Sequence, residues 1–177
     1  MLKKILLLLV MLYTSNASVA SEVGQVTGLP IPRFVTLKSS ETNLRKGPNV
    51  KYPVVWNYKQ KSYPLEIVAE FENWRKLRDI DGEEGWVHVN LITGARKAII
   101  KDNKYLTKEH EYAARSRELV LFRYPDEDAY PMLRVELGVL ASIKACNREW
   151  CKLKIDDITA WARKENLWGV YPEEVIE

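Results

Sequence analysis

Trp74-Arg75-Lys76-Leu77, then Trp86, then Asn90-Leu91: this stretch decides the fold, because it returns as Trp150-Cys151-Lys152-Leu153, Trp161 and Asn166-Leu167. Trp to Asn spans 16 residues in both copies. Ahead of each block an arginine is followed 8 residues later by a Tyr-Pro proline: Arg45 with Tyr52-Pro53, and Arg123 with Tyr130-Pro131. Between these anchors the spacing drifts by two residues or fewer, as loops allow. A repeat of about 76 residues is too long for a solenoid unit and reads as two copies of one small domain. Two such domains nearly exhaust the chain and leave little room for a catalytic one.

Inside the first copy the pattern is that of short strands. Phe34–Lys38, Thr42–Arg45, Val54–Tyr58, Pro64–Phe71, Trp74–Ile80 and Trp86–Val89 are apolar or alternating runs. Gly47-Pro48 and Asp81-Gly82 are turn signals between them. No long run with helical periodicity interrupts this copy, so the expectation is all-β, a small barrel or sandwich. The second copy resumes at Leu119–Phe122. Lys97–Ile100 reads either as that copy's first strand, followed by an inserted loop over about 101–117, or as part of a linker over 96–117.

The ends and the composition narrow the class. Residues 1–20 read as a cleaved signal peptide: Lys3 and Lys4 are followed by an apolar run from Ile5 to Tyr13, too short to cross a bilayer, and Ser18-Val19-Ala20 offers the cleavage site. The expected location is periplasmic or secreted. The 27 Lys and Arg against 24 Asp and Glu give +3, and loss of the leader lowers this to +1. So near neutrality, the mature chain gives no general argument for nucleic acid or anionic membrane. Residues 21–32, with Gly24 and Gly28, read as a flexible lead, and 172–177 as a tail. Cys146 and Cys151 are the only cysteines and flank a hairpin tip, so export makes a cross-strand disulfide the expectation.

Alternation places Trp150 with Lys152 and Lys154, opposite Cys151, Leu153 and Ile155. That sets this Trp position on a partly exposed face. It is there either as a binding platform or as a cover for a barrel end or a seam between domains.

These residues resemble the bacterial SH3-like domain. Thr42-Asn43-Leu44-Arg45-Lys46-Gly47-Pro48 is similar to that family's N-x-R-x-G-P signature, Asn73–Leu77 to its central strand, and Gly85-Trp86-Val87 to its G-W-V strand. The second copy departs, with Arg123-Tyr124-Pro125 and Ala160-Trp161 at the matching places. Gly28–Phe34 and Asn166–Pro172 resemble flanking segments of exported proteobacterial proteins with tandem SH3-like domains. The resemblance implies two tandem SH3-like β-barrels, over 33–95 and 96–171, and a compartment rather than a task.

Nothing in the sequence gathers a catalytic set, a metal site or a cofactor site. Asp79-Ile80-Asp81-Gly82 places its glycine at position 4, not the 6 an EF-hand loop needs, and reads as a turn. The pairs Glu83-Glu84, Asp156-Asp157 and Glu173-Glu174 read as solvated, and His88 as a structural histidine. The expectation is a binding protein and not an enzyme. Its candidate ligand residues are Arg45, Tyr52, Trp56, Tyr58 and Trp74, an aromatic strip suited to an extended peptide. Trp56 reads equally as core, and Arg45 as one half of an ion pair. The resemblance, with export, points to the stem peptides of peptidoglycan. The alternative is an envelope adaptor working through Trp150, Trp161, Trp168 and Tyr171.

Overall fold

Strand alternation decides what lies inside. Leu44, Leu65, Ile67, Leu77 and Val87 fall on the inner sides of successive strands and are almost wholly buried. Burying each such aliphatic side chain contributes about 1.5–3 kcal/mol. The computed structural model describes residues 22–101 and 118–177, and all regular structure among them is strand and short 3-10 turn. The expected signal segment and nearly all of the expected insertion lie outside the described residues.

A two-stranded hairpin, β1 (Glu22–Val23) and β2 (Pro30–Ile31), leads the chain. Seven strands follow: β3 (Arg33–Leu37), β4 (Thr42–Arg45), β5 (Val54–Tyr58), β6 (Pro64–Phe71), β7 (Trp74–Arg78), β8 (Glu84–His88) and β9 (Ile92–Thr93). They form one antiparallel sheet in the order β5-β4-β8-β7-β6-β3-β9. Seven more repeat it: β10 (Lys97–Ile100), β11 (Glu118–Phe122), β12 (Pro131–Glu136), β13 (Leu140–Cys146), β14 (Trp150–Ile155), β15 (Ile158–Arg163) and β16 (Leu167–Trp168). Their order, β12-β11-β15-β14-β13-β10-β16, is the same topology moved seven strands along. A 3-10 turn, Val89–Leu91 or Lys164–Asn166, precedes the last strand of each sheet. Lys97–Ile100 pairs with β13 and β16 as a strand of the second sheet.

The duplication extends to irregularities. The register between β6 and β7 shifts between Ile67 and Ala69, and that between β13 and β14 shifts between Ile143 and Ala145. The structural register differs from the arginine anchors by one residue. Lys46 N–H donates to Pro53 O as Arg123 N–H donates to Tyr130 O, and Arg45 pairs with Trp86 as Phe122 pairs with Trp161. Arg45 therefore corresponds to Phe122, not to Arg123. Side-chain identity marks the loop, but the ladder to the tryptophan strand sets the register, and one residue of slip turns every side chain to the opposite face.

Two expectations are corrected, and a third segment is placed. The segment 21–32 is not a flexible lead where it is described. Its turn is tied down by the buried Glu70 carboxylate, which accepts from Val26 N–H (3.0 Å), Thr27 N–H (2.9 Å) and the Thr27 hydroxyl (2.7 Å). The tail, residues 172–177, is tied to the second domain: Ile176 exchanges two backbone hydrogen bonds with Cys146, and Glu174 is ion-paired to Arg96. Trp150 is not on an open face but 4% exposed, edge-on to Phe122 at 5.9 Å and capped by the Arg163 guanidinium at 4.6 Å. A cation stacked over its ring hides a position that the lysines of its strand suggested was open.

The two sheets meet along an aromatic seam. Phe34 meets Trp168 edge-on (5.1 Å) and Tyr171 at a tilt (4.7 Å). The Trp168 indole donates to Pro64 O (3.1 Å), and the Tyr171 hydroxyl donates to Glu66 (2.8 Å).

Candidate functional site

β5 is an edge strand whose one neighbour among the described residues is β4. Alternation fails along it: Val54 (44% exposed), Val55 (48%) and Trp56 (53%) all face solvent. An edge with free main-chain groups and bare apolar side chains can accept a further strand. The loop before it continues the surface through Val50 and Tyr52, both exposed. Arg45 holds this loop, its guanidinium donating to Tyr52 O at 2.8 Å. Gly47 lets the Tyr52 ring lie close over this loop, since a Cβ there would fall 2.6 Å from the ring in its present position. Beyond Tyr52 a depression of about 430 Å³ is lined by Pro48, Asn49, Lys51, Tyr52 and Phe71.

Of the five residues expected to bind, Tyr52 and Trp56 lie open on this strip, and Arg45 supports it through the backbone. Tyr58 does not belong to it. It is 7% exposed, and its hydroxyl donates to Asp79 at 2.6 Å. Burial and the adjacent Asp79 push the Tyr58 phenol far up, and push neighbouring Tyr63 up to about 12. Asp79 also accepts from Asp81 N–H and Glu83 N–H, so it closes the β7–β8 turn. Trp74 sits half-buried at the β6–β7 tip, edge-on to His88 at 5.5 Å. His88 itself accepts from Asn90 N–H, a structural role. Phe71 was missed in the sequence. It is exposed, lines the depression with Tyr52, and is the cross-strand partner of Trp74. That pairing across a two-residue turn was the signal that could have found it.

The residues expected of an adaptor surface are largely engaged within the chain. Trp150 is buried, while Trp168 and Tyr171 form the seam. Beside that seam a cleft of about 690 Å³ lies between the domains, lined among others by Glu66, Arg78, Lys164 and Tyr171. Its charged groups mostly serve structure. Arg78 is paired to Glu66 at 2.6 Å, which raises its pKa. Burial lowers the Lys164 pKa, and its ammonium donates to Pro172 O and Glu174 O. Burial opposes ionisation of Glu174, but hydrogen bonds from Arg96 and Tyr171 N–H outweigh it and lower its pKa; Glu174 is therefore not a solvated carboxylate. Among the described residues, no three His, Cys, Asp or Glu side chains gather as a metal would require, and no helix is long and apolar enough to cross a membrane.

Two equal antiparallel domains, joined by a packed seam and carrying an exposed aromatic edge, define a tandem protein of small SH3-like modules. The bacterial SH3 domain model matches residues 38–94 and again 115–169, so the chain belongs to the bacterial SH3 domain family in two copies. Comparison with curated proteins gives no match. Among solved structures, NlpC2 from Trichomonas vaginalis is 10% identical with a TM-score of 0.32, over 77% of this chain and 48% of that one. An NlpC/P60 family protein from Bacillus cereus is 11% identical with a TM-score of 0.32, over 76% and 55%. The chain spans about half the length of these two structures. Likeness at this level assigns no activity.

Proposed function

We propose that this is a non-catalytic binding module of the cell envelope whose first domain holds an extended peptide along β5. One observation carries the reading: a strand edge with no partner among the described residues, where Val54, Val55 and Trp56 are exposed together beside Tyr52 and Phe71. Main-chain pairing would supply affinity there, and the aromatic side chains selectivity. The same edge in the second domain, β12, begins at Pro131 and exposes Arg134 and Glu136, residues that discourage strand addition. The family and the Cys146–Cys151 disulfide support a place outside the cytoplasm. With that, the stem peptides of peptidoglycan are the ligand class we favour.

The test is co-sedimentation of residues 21–177 with purified peptidoglycan. Wild type should pellet, and Trp56→Ala should weaken binding by about tenfold or more, as loss of an exposed aromatic anchor does. Failure of the wild type to pellet, or full pelleting by Trp56→Ala, would overturn the reading.

A further inference from the structure

The second domain carries a groove beside its tryptophan strand. It measures about 620 Å³ and is lined by Arg123, Tyr124, Met132, Lys152, Thr159 and Trp161, with Pro125 at its rim. Two of these are cations and none is acidic. Asp126 accepts from Asp128 N–H, and Glu127 pairs with Arg163 at 2.8 Å.

The duplication explains why the cations are available. In the first domain Lys76 stands across from Trp86 and is ion-paired to Glu84. The same ladder in the second domain sets Lys152 across from Trp161 and puts Thr159 where Glu84 stands. A hydroxyl cannot neutralise the lysine. Among the described residues neither Lys152 nor Arg123 has a carboxylate partner. The loop has also exchanged its small and large residues. Gly47 and Tyr52 of the first domain correspond to Tyr124 and Ala129 of the second, so the ring comes from the other side of the loop and lines the groove.

We propose that this groove is a second ligand site that takes an acidic peptide. The carboxylate would lie between Arg123 and Lys152, and the adjacent apolar residue against Trp161 and Tyr124. Charge complementarity selects this occupant: two cations without an acid repel basic segments, and the half-exposed indole offers apolar contact beside them. The site is separate from the β5 strip and does not depend on it.

The test is titration of the 15N-labelled chain with the capped peptide acetyl-Ala-Leu-Glu-Leu-Ala-amide and with its Gln counterpart. The Trp161 indole N–H should shift with the Glu peptide, and the Gln peptide should bind at least about fivefold more weakly, because a charge-assisted hydrogen bond is lost. Thr159→Glu rebuilds the carboxylate partner found in the first domain and should abolish the shift while the rest of the spectrum stays unchanged. Trp56→Ala should leave the titration as it is, which separates this site from the peptide strip. An unmoved Trp161 signal, equal binding of the two peptides, or undiminished binding by Thr159→Glu would each overturn the proposal.

Discussion

The hairpins β6–β7 and β13–β14 share a register and a bulge, yet close their tips with different chemistry. Glu70 faces Arg75 in the first domain, and Cys146 faces Cys151 at the same cross-strand position in the second. The first uses a buried ionic cluster, in which Glu70 also takes Arg33 (2.5 Å), Thr27 and the Val26 backbone. The second uses a covalent bond and ties its terminal segment to Cys146 through the backbone of Ile176. Each tip thus anchors an end of the described chain, one with a carboxylate and one with a strand bridge. The two cores also distribute their volume differently. Ala98, Ala141 and Ala162 stand where the first has Val35, Leu65 and Val87. A crosslink stabilises by restricting the unfolded chain, whereas a buried ion pair stabilises only while every partner remains in place.

Removing the carboxylate should expose the difference most sharply. Glu70→Gln leaves Arg75 buried without its anion and frees the leading hairpin. It should cost about 3–5 kcal/mol in the first domain, read by denaturant unfolding. Grafting the second solution onto the first, Glu70→Cys with Arg75→Cys, should form a crosslink seen by mass and recover part of that loss. If the graft fails to oxidise, the two tips are not interchangeable. Opening the natural bridge with Cys146→Ala and Cys151→Ala should cost about 2 kcal/mol, the expectation for so short a closed loop, and should leave the first domain's β5 signals unmoved by NMR.

Acid offers a second contrast. Burial would raise the Glu70 pKa, but hydrogen bonds from Arg33, Thr27 and Val26 N–H overcome this and lower it to about 2 from 4.5. A depressed carboxylate stabilises above its unfolded value, and that contribution is lost as pH falls through the folded one. The first domain should therefore weaken between pH 4.5 and about 2, and Glu70→Gln should flatten that slope. The smallest effect belongs to the surface: Glu84→Gln should cost under about 1 kcal/mol, because the Lys76 pair is partly solvated.

Much of the architecture was legible because alternation and turn residues act locally. Thr42–Arg45 and Pro64–Phe71 run where their side chains predict, and the repeated Trp-to-Asn spacing announces two equal domains. The site was less legible. Tyr58 reads like Trp56 in the sequence, two residues away on one strand, but one is in the core and the other in solvent. Trp150 reads as exposed beside its lysines until Arg163 is folded over it. Phe71 gains its meaning only from Trp74 across the turn and Tyr52 across the depression.

By itself the sequence determined the all-β class, the duplication and the pairing of two cysteines five residues apart, since each depends on neighbours along the chain. Tertiary structure alone decided that Arg45 matches Phe122, that Glu70 and the disulfide occupy one position, and that Arg123 and Lys152 share a groove. Those relations join residues from different strands. Hydrogen-bond register, and not chain spacing, fixes which of them face each other.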